Sequence, residues 1–357
     1  MCMLMIFKKK SIKINDTMLF LFYVFLLSCS IGALLNSDIF VLLGALVFFV
    51  LYISTSAILP VLCNHNINEL VVKAILISHI PLIFIPLLTE GINSMPYRGI
   101  FYNPNSFGSI AVTLFAVLVA IFLKNLEEYI TLSEKQRFIK LKLLLQLVFM
   151  FWVFWLVILS GSRTSFLTGL MVLAIGMFFL IVFLIKAKKL VKLLFRGTIV
   201  SFLVTMTYVI LALYTNFNQY LQLNIIGKFQ RKSDDILDHR GEVWKQTIQE
   251  AGLFGKGDKY FEQNIGLGAH NTFISILGQY GWIALIILVL FLAMAVFYAC
   301  KYSVKNTDDR YKYLPLMLIV SFLTLSMGEV MMFKLSMIAT FCTIGVCSNC
   351  KILKIKG

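Results

Sequence analysis

Residues 166–185 read FLTGLMVLAIGMFFLIVFLI, twenty consecutive positions without a charged side chain. A helix of about 20 mostly apolar residues is long enough to cross a hydrocarbon core of roughly 30 Å. Because lipid offers the backbone no hydrogen-bond partners, a spanning segment must satisfy its own polar groups, as an α-helix does. A membrane β-barrel would show shorter segments of alternating polarity. The stretch therefore predicts a transmembrane helix.

Similar apolar stretches recur along the chain, which is 60% hydrophobic and only 14% charged. This composition excludes an ordinary soluble domain and predicts an all-α polytopic membrane protein. We expect about ten transmembrane helices in a single integral membrane domain that covers residues 1–357. The predicted spans are 17–36, 39–59, 70–88, 107–123, 142–160, 166–185, 197–215, 282–300, 313–328 and 333–349.

The net charge of +15 follows the predicted topology. With the N-terminus in the cytoplasm, 22 of the 32 Lys and Arg residues fall on the inner side of the membrane. Basic residues beside the ends of spans set the orientation, so both termini are predicted to be cytoplasmic. Since most of the positive charge is explained in this way, no nucleic acid partner is expected.

One long hydrophilic segment, residues 216–281, interrupts the apolar sequence after the seventh predicted span. It is predicted to be a large outward-facing loop with short helices. Two shorter polar clusters, Tyr97–Ser106 and Ser160–Ser165, fall on the same predicted face. Because charged substrates must be met in water, we expect the functional site on this outer face.

A short helix is predicted within the long loop, from Asp238 to Gly252. Trp244, Ile248 and Ala251 have the i, i+4, i+7 spacing of one helix face. The glycine-rich residues 251–257 predict the end of this helix and a flexible turn.

Arg163 is the first candidate for binding an anion. It lies in Ser160-Gly-Ser-Arg-Thr-Ser165, where small hydroxyl side chains, Ser162 among them, surround the guanidinium. An arginine near the depth of the bilayer usually faces the protein interior or a wet cavity. The alternative is an arginine whose charged head reaches the lipid headgroups.

Arg240 is the second candidate and opens the sequence Arg240-Gly-Glu-Val-Trp244. A guanidinium can donate two parallel hydrogen bonds to a phosphate, which a lysine cannot reproduce. An ion pair with Glu242 or Asp238 on a solvated helix explains the spacing equally well.

His270 is a candidate general base, because its ordinary pKa lies close to neutrality. A sugar hydroxyl needs such a base to become a nucleophile. Asn271 follows it and can cap a helix, so a histidine that merely precedes an N-cap is the alternative. His239 competes for the same role, although the neighbouring positive charge of Arg240 would lower its basicity.

The third outward arginine, Arg98, lies in the Tyr97–Ser106 cluster. Asn103-Pro-Asn105 predicts a turn into the next span, and the Asn105 amide is available for sugar hydroxyls. Asp234 and Asp235 have no histidine or third carboxylate close in sequence, so they are read as a solvated loop. No metal site and no cofactor are predicted.

Together these sequences resemble the O-antigen polymerase/ligase family of membrane glycosyltransferases. The resemblance extends from about residue 97 to residue 300. The matching elements, in order, are Asn103-Pro-Asn105, Ser160-Gly-Ser-Arg163, Arg240-Gly-Glu-Val-Trp244, Gly255-Lys-Gly257 and Ala269-His270-Asn271.

The resemblance implies a GT-C-like membrane fold with one large extracytoplasmic loop. It also implies a metal-independent, inverting transfer of a glycan from undecaprenyl diphosphate. Carried over to this sequence, it implies that Arg163 and Arg240 hold the diphosphate and that His270 activates the acceptor hydroxyl. The further residues predicted to contact the substrate are Arg98, Asn105, Ser162, Trp244 and Asn271.

Relative to the Gram-negative ligases of this family the loops are short, which favours a repeat-unit polymerase of capsule, O-antigen or exopolysaccharide. A ligase that moves finished glycan to another acceptor and a transporter of lipid-linked oligosaccharide are the alternatives. The predicted partners are an undecaprenyl-diphosphate-linked oligosaccharide and the lipid bilayer, together with a chain-length regulator and a flippase. The predicted location is the bacterial plasma (inner) membrane, with the active site on its outer face.

Overall fold

The computed structural model of the protein describes residues 15–59, 67–92, 95–131, 137–186, 240–305 and 309–332, with a few isolated positions between 218 and 227. The regular elements in these ranges are helices, as the sequence predicts. The α-helices are α1 (Asp16–Leu35), α2 (Ile39–Ile53), α3 (Ile67–Thr89), α4 (Pro104–Thr131), α5 (Arg137–Leu159), α6 (Arg163–Lys186), α7 (Arg240–Glu250), α8 (Thr272–Lys305) and α9 (Leu314–Ser326). Two π-helical turns, Ser54–Ile58 and Phe261–Ile265, follow α2 and precede α8.

Six of the described helices are long and apolar enough to cross a membrane: α1, α3, α4, α5, α6 and α8. Helices α2 and α9 are apolar but have only 15 and 13 residues, and they lie at two further predicted spans. The two remaining predicted spans, 197–215 and 333–349, lie outside the described residues. The polytopic all-α class is therefore confirmed, while the count of ten and the GT-C-like arrangement stay predictions.

The chain divides into two compact units, and the boundary between them falls within α3. The first unit comprises residues 1–76 and 237–357, and in it α8 packs against α1, α7 and α9. Its core contains the stacked rings of Phe22 and Tyr52, whose centroids are 4.0 Å apart, with Phe291 beside both. A single membrane domain over the whole chain stays a prediction.

The second unit, residues 77–236, is built around α4, which packs against both α5 and α6. Small side chains make this packing close: Ala111, Ala116 and Ala120 of α4 are fully buried. On α6, a Cβ atom at Gly176 would lie 3.2 Å from Val119 of α4. Small residues at helix contacts are the usual way for membrane helices to approach one another.

Helix α8 is broken at Gly281, where φ is 87° and ψ is −178°. This backbone conformation is essentially restricted to glycine. The break leaves backbone groups on either side without helical partners, and residues 252–257 supply replacements. Four hydrogen bonds join the segments: Trp282 N to Gly252 O (3.2 Å), Ile283 N to Leu253 O (3.2 Å), Lys256 N to Gly278 O (2.9 Å) and Gly257 N to Gln279 O (3.2 Å).

Two residues in the connection between α1 and α2 also form hydrogen bonds to this loop after α7. The Asp38 carboxylate caps α2 through Phe40 N (3.0 Å) and also accepts from Asp258 N (2.7 Å). The Asn36 amide donates to Gly255 O (3.2 Å). The turn predicted after α7 is present, and residues 252–258 are hydrogen-bonded to two other elements.

Glu250, the last residue of α7, ties this helix to the segment that follows it. Its carboxylate accepts hydrogen bonds from Gln246 Nε2 (2.9 Å), Lys256 Nζ (3.2 Å) and the Tyr260 hydroxyl (3.1 Å). These bonds, with that of Gln246 first, lower the pKa of Glu250. The carboxylate therefore stays charged near neutral pH and keeps all three donors.

Helix α7 itself differs from the prediction. It begins at Arg240 and ends at Glu250, before Gly252, while Asp238 lies outside the described residues. The apolar spacing does not mark the buried face: Ile248 is 48% exposed, and the buried side chains are Val243 and Thr247. The reason is tertiary, because Val243 packs against a cluster formed by Tyr260, Phe261 and Ala269.

Replacing Gly281 with alanine is expected to lower the free energy of unfolding by about 1–3 kcal/mol, since the left-handed φ excludes a Cβ atom. The matched control is Gly252→Ala in the paired segment, where a Cβ atom meets nothing within 4 Å. Thermal unfolding of the detergent-purified variants measures the difference. Equal melting temperatures for the two variants would contradict the importance of the break.

Candidate functional site

The residues predicted to bind the substrate in the second unit meet at a turn between α5 and α6. This turn, residues 160–165, is called the serine turn below. Ser160, Ser162 and Ser165 are all buried. Ser162 Oγ accepts from Ser165 N (3.3 Å) and lies 3.0 Å from Ser165 Oγ, so it caps α6. Arg163 is the first residue of that helix and is half-buried.

The start of α4 packs directly on the serine turn. A Cβ atom at Gly108 would lie only 2.7 Å from the hydroxyls of both Ser160 and Ser165. The predicted turn at Asn103-Pro-Asn105 does open α4, because Asn103 Oδ1 accepts from Asn105 N at 2.8 Å. Half-buried Asn105 thus lies one helical turn before the contact with the serines.

Arg98 is attached to the same end of the second unit. The backbone N–H of the preceding residue, Tyr97, donates to the carbonyl of Leu159, the last residue of α5, at 2.8 Å. The Arg98 side chain is exposed, and its Nη1 lies 3.5 Å from the Tyr102 carbonyl. The structure therefore brings Arg98, Asn105, Ser162 and Arg163 to one end of this unit.

The electrostatics of this end favour an anion. The N-termini of α4 and α6, helices of 28 and 24 residues, both lie here. A helix N-terminus carries a partial positive charge and free backbone N–H groups, which together bind anionic groups. The opposing C-terminal end of α5 is partly neutralised, because Leu159 O and Val157 O already accept from Tyr97 N and Ser160 Oγ.

In the first unit, Arg240 and Trp244 of α7 are each held by a hydrogen bond to the backbone. Arg240 Nη1 donates to the Gly328 carbonyl at 3.2 Å, and Trp244 Nε1 donates to the Ala269 carbonyl at 2.8 Å. Gly328 belongs to residues 327–331, the segment after α9, which is called the α9 strap below. Both side chains are thereby fixed in orientation at the start of α7.

Both the oxygen and the nitrogen of the Asn271 side-chain amide form hydrogen bonds. Its Oδ1 accepts from Phe273 N (2.8 Å) and Ile274 N (3.1 Å), so it caps α8 as predicted. Its Nδ2 donates to the Met327 carbonyl at 3.1 Å. The capping side chain therefore also links α8 to the α9 strap.

Thr272 forms a second hydrogen-bonded link between α8 and the α9 strap. Its buried hydroxyl donates to the Glu329 carbonyl (3.0 Å) and accepts from Met331 N (2.8 Å). Three consecutive carbonyls of the strap thus receive hydrogen bonds from three side chains: Asn271, Arg240 and Thr272. The strap fixes the start of α7 relative to the start of α8.

His270 lies between anchored neighbours and has a strained backbone. Its φ of 46° is in the left-handed region, which costs an L-residue about 1–3 kcal/mol. The Ala269 carbonyl is bound by Trp244, and Asn271 is bound to α8 and the strap. The imidazole is exposed. Such strain persists where the surroundings enforce it, and it is concentrated at functional sites.

The structure places Arg240, Trp244, His270 and Asn271 together in the first unit. Sequence reasoning missed the α9 strap and Thr272. The available signal in the sequence was Gly328-Glu329, a glycine and a carboxylate between two apolar stretches. In the structure, Glu329 is only 7% exposed. His239 lies outside the described residues. Within the described part of the chain, no three His, Cys, Asp or Glu side chains group closely enough to hold a metal ion.

The fold and these two groups of residues define a polytopic helical membrane protein whose candidate sites combine arginines with helix N-termini. Residues 147–289 match the family model described as O-antigen ligase. The match confirms the resemblance predicted from the sequence and supports an O-antigen ligase or polymerase type of function. It covers Arg163, Arg240 and His270 but begins after Arg98. No curated protein and no solved structure matches the chain significantly.

Replacing Thr272 with valine should lower the free energy of unfolding by about 1–3 kcal/mol, because a buried carbonyl and a buried N–H lose their partner. Thr272→Ser keeps the hydroxyl and should retain most of the stability. Thermal unfolding of the purified variants tests this expectation. If the valine variant were as stable as the serine variant, the strap would not depend on these hydrogen bonds.

Proposed function

We propose that the protein is a surface-polysaccharide polymerase that transfers a growing glycan from undecaprenyl diphosphate onto the next lipid-linked repeat unit. The observation that carries the proposal is the grouping of the predicted residues within each unit. In the second unit, Arg98 and Arg163 lie at the end where α4 and α6 begin. In the first unit, the α9 strap binds both Arg240 and Asn271, the residue after exposed His270. Cationic donors of this kind suit a diphosphate, and an exposed imidazole suits a hydroxyl nucleophile.

The chemistry follows from these roles. An acceptor hydroxyl oxygen attacks C1 of the donor sugar while His270 takes the hydroxyl proton. The bond between C1 and the diphosphate oxygen breaks, and its electron pair leaves on the diphosphate. Attack from the face opposite the leaving group inverts the configuration at C1.

The family resemblance assigns to Arg163 and to Arg240 the stabilisation of the negative charge that builds on the departing diphosphate. Preorganised donors act most strongly where charge develops in the transition state. Because guanidinium groups and helix N-termini provide this stabilisation, the proposed transfer needs no metal ion. Trp244 and Asn271 position His270, Ser162 shapes the start of α6, and Arg98 and Asn105 contact the substrate.

The proposed location is the bacterial plasma membrane, with both termini in the cytoplasm and the site on the outer face. Within each unit, the contacts described above join helix ends that this topology assigns to one side. The proposed partners besides the lipid-linked oligosaccharide are a flippase that delivers it and a chain-length regulator.

A ligase that transfers finished glycan to another acceptor shares this chemistry, and the family match is equally compatible with it. The distribution of products separates the two activities. Purified protein in lipid with undecaprenyl-diphosphate repeat units should give a ladder of chain lengths on a gel. A product that forms only with a different acceptor would identify a ligase.

Arg163→Ala and Arg240→Ala are each expected to reduce transfer about 100-fold, the typical loss on removing one preorganised donor to developing charge. Lysine at either position should restore only part of the rate, because it cannot bind bidentately. The control is Lys245→Ala, which removes an exposed cation from α7. Initial rates in the gel assay measure the effect, and wild-type rates in both arginine variants would refute the assignment.

His270→Gly and His270→Ala should both abolish long chains, since neither retains a base. The glycine variant should be at least as stable as the alanine variant, because glycine tolerates φ of 46° without strain. Melting temperatures and gel ladders are measured on the same preparations. A ladder of normal length from the stable glycine variant would remove His270 from the mechanism.

A further inference from the structure

Tyr97 has a hydroxyl that is buried and has no hydrogen-bond partner in the described structure, and the residue as a whole is only 3% exposed. Burying a hydroxyl without a partner costs stability, so most buried polar groups in proteins are paired. A phenylalanine would fill the same space without this cost. The hydroxyl therefore calls for an explanation outside the packing of the protein.

The position of Tyr97 supplies that explanation. Its N–H is bonded to the Leu159 carbonyl, one residue before the serine turn. Its ring packs edge-on against Phe107 of α4, with centroids 5.0 Å apart. The next residue of α4 is Gly108, where a Cβ atom would lie 2.7 Å from two hydroxyls of the serine turn. Tyr97 thus lies among the two helix N-termini and beside Arg98.

The hydroxyl is also a reliable donor. Burial first, and then the negative charge of Glu90, raise the pKa of Tyr97. The phenol therefore remains protonated at neutral pH, and its O–H is available to an acceptor. An anionic oxygen is the strongest acceptor for this O–H, because hydrogen bonds to ionised groups are shorter and stronger than neutral ones.

We propose that the Tyr97 hydroxyl donates a hydrogen bond to a phosphate oxygen of the lipid-linked diphosphate. This inference rests on the proposed function and adds a neutral donor to the arginines. The segment that carries Tyr97 has room to adjust around a substrate, since Met95, Ile100 and Tyr102 are 51%, 59% and 95% exposed.

The test uses the full-length protein in lipid nanodiscs with undecaprenyl diphosphate as the probe. Binding affinity, melting temperature and transfer rate are compared for the wild type, Tyr97→Phe and the control Tyr102→Phe. The control removes a hydroxyl from the exposed tyrosine of the same segment. Tyr97→Phe should bind the probe about tenfold more weakly, as expected for one hydrogen bond to a charged group. Its melting temperature should equal or exceed that of the wild type.

Weaker binding without loss of stability supports the inference, provided that Tyr102→Phe binds like the wild type. Unchanged affinity of Tyr97→Phe overturns it, as does weakening only for a glycan-bearing lipid, which would assign the hydroxyl to a sugar. A lower melting temperature also overturns it, because the hydroxyl would then have a partner within the protein. If the wild type neither binds the probe nor transfers glycan, the proposed function fails first and takes this inference with it.

Discussion

The pairing of residues 252–257 with the break at Gly281 is the interaction on which the first unit depends. A helix in an apolar environment cannot open without new partners for its backbone groups, and the adjoining loop supplies four of them. The same loop is bonded to Asp38 and Asn36, so it joins α1, α2 and α8. Because α7 ends just before this loop and the loop is bonded to both sides of the break, the end of α7 is held close to the break in α8.

The two units use a common solution for presenting cationic groups. In each, an arginine lies at the first residue of a helix, Arg163 in α6 and Arg240 in α7. The supporting contacts differ, since hydroxyls cap α6 whereas one backbone carbonyl of the α9 strap, that of Gly328, orients Arg240. A donor held in this way loses little freedom on meeting a ligand, which is the condition for strong electrostatic stabilisation of a transition state.

Some of this could be predicted because the signals are local. Pro104 after Asn103 opens α4, and Asn271 caps α8, since turn and cap preferences act within four residues. The buried face of α7 could not be predicted, because Tyr260 and Ala269, which lie beyond a turn, decide it. The role of the α9 strap could not be predicted either. Its hydrogen bonds to Asn271, Arg240 and Thr272 are accepted by backbone carbonyls, which every residue has whatever its side chain.

The length of α9 has a consequence for the depth of the strap. Thirteen residues rise about 20 Å, and a hydrocarbon core is roughly 30 Å thick. A helix of this length that starts at one boundary ends about 10 Å short of the other. Its final carbonyls then lie where water is scarce, so protein donors must replace hydration. A guanidinium and a phosphate beside these carbonyls would lie in a medium of low dielectric constant. There they attract each other far more strongly than in bulk water.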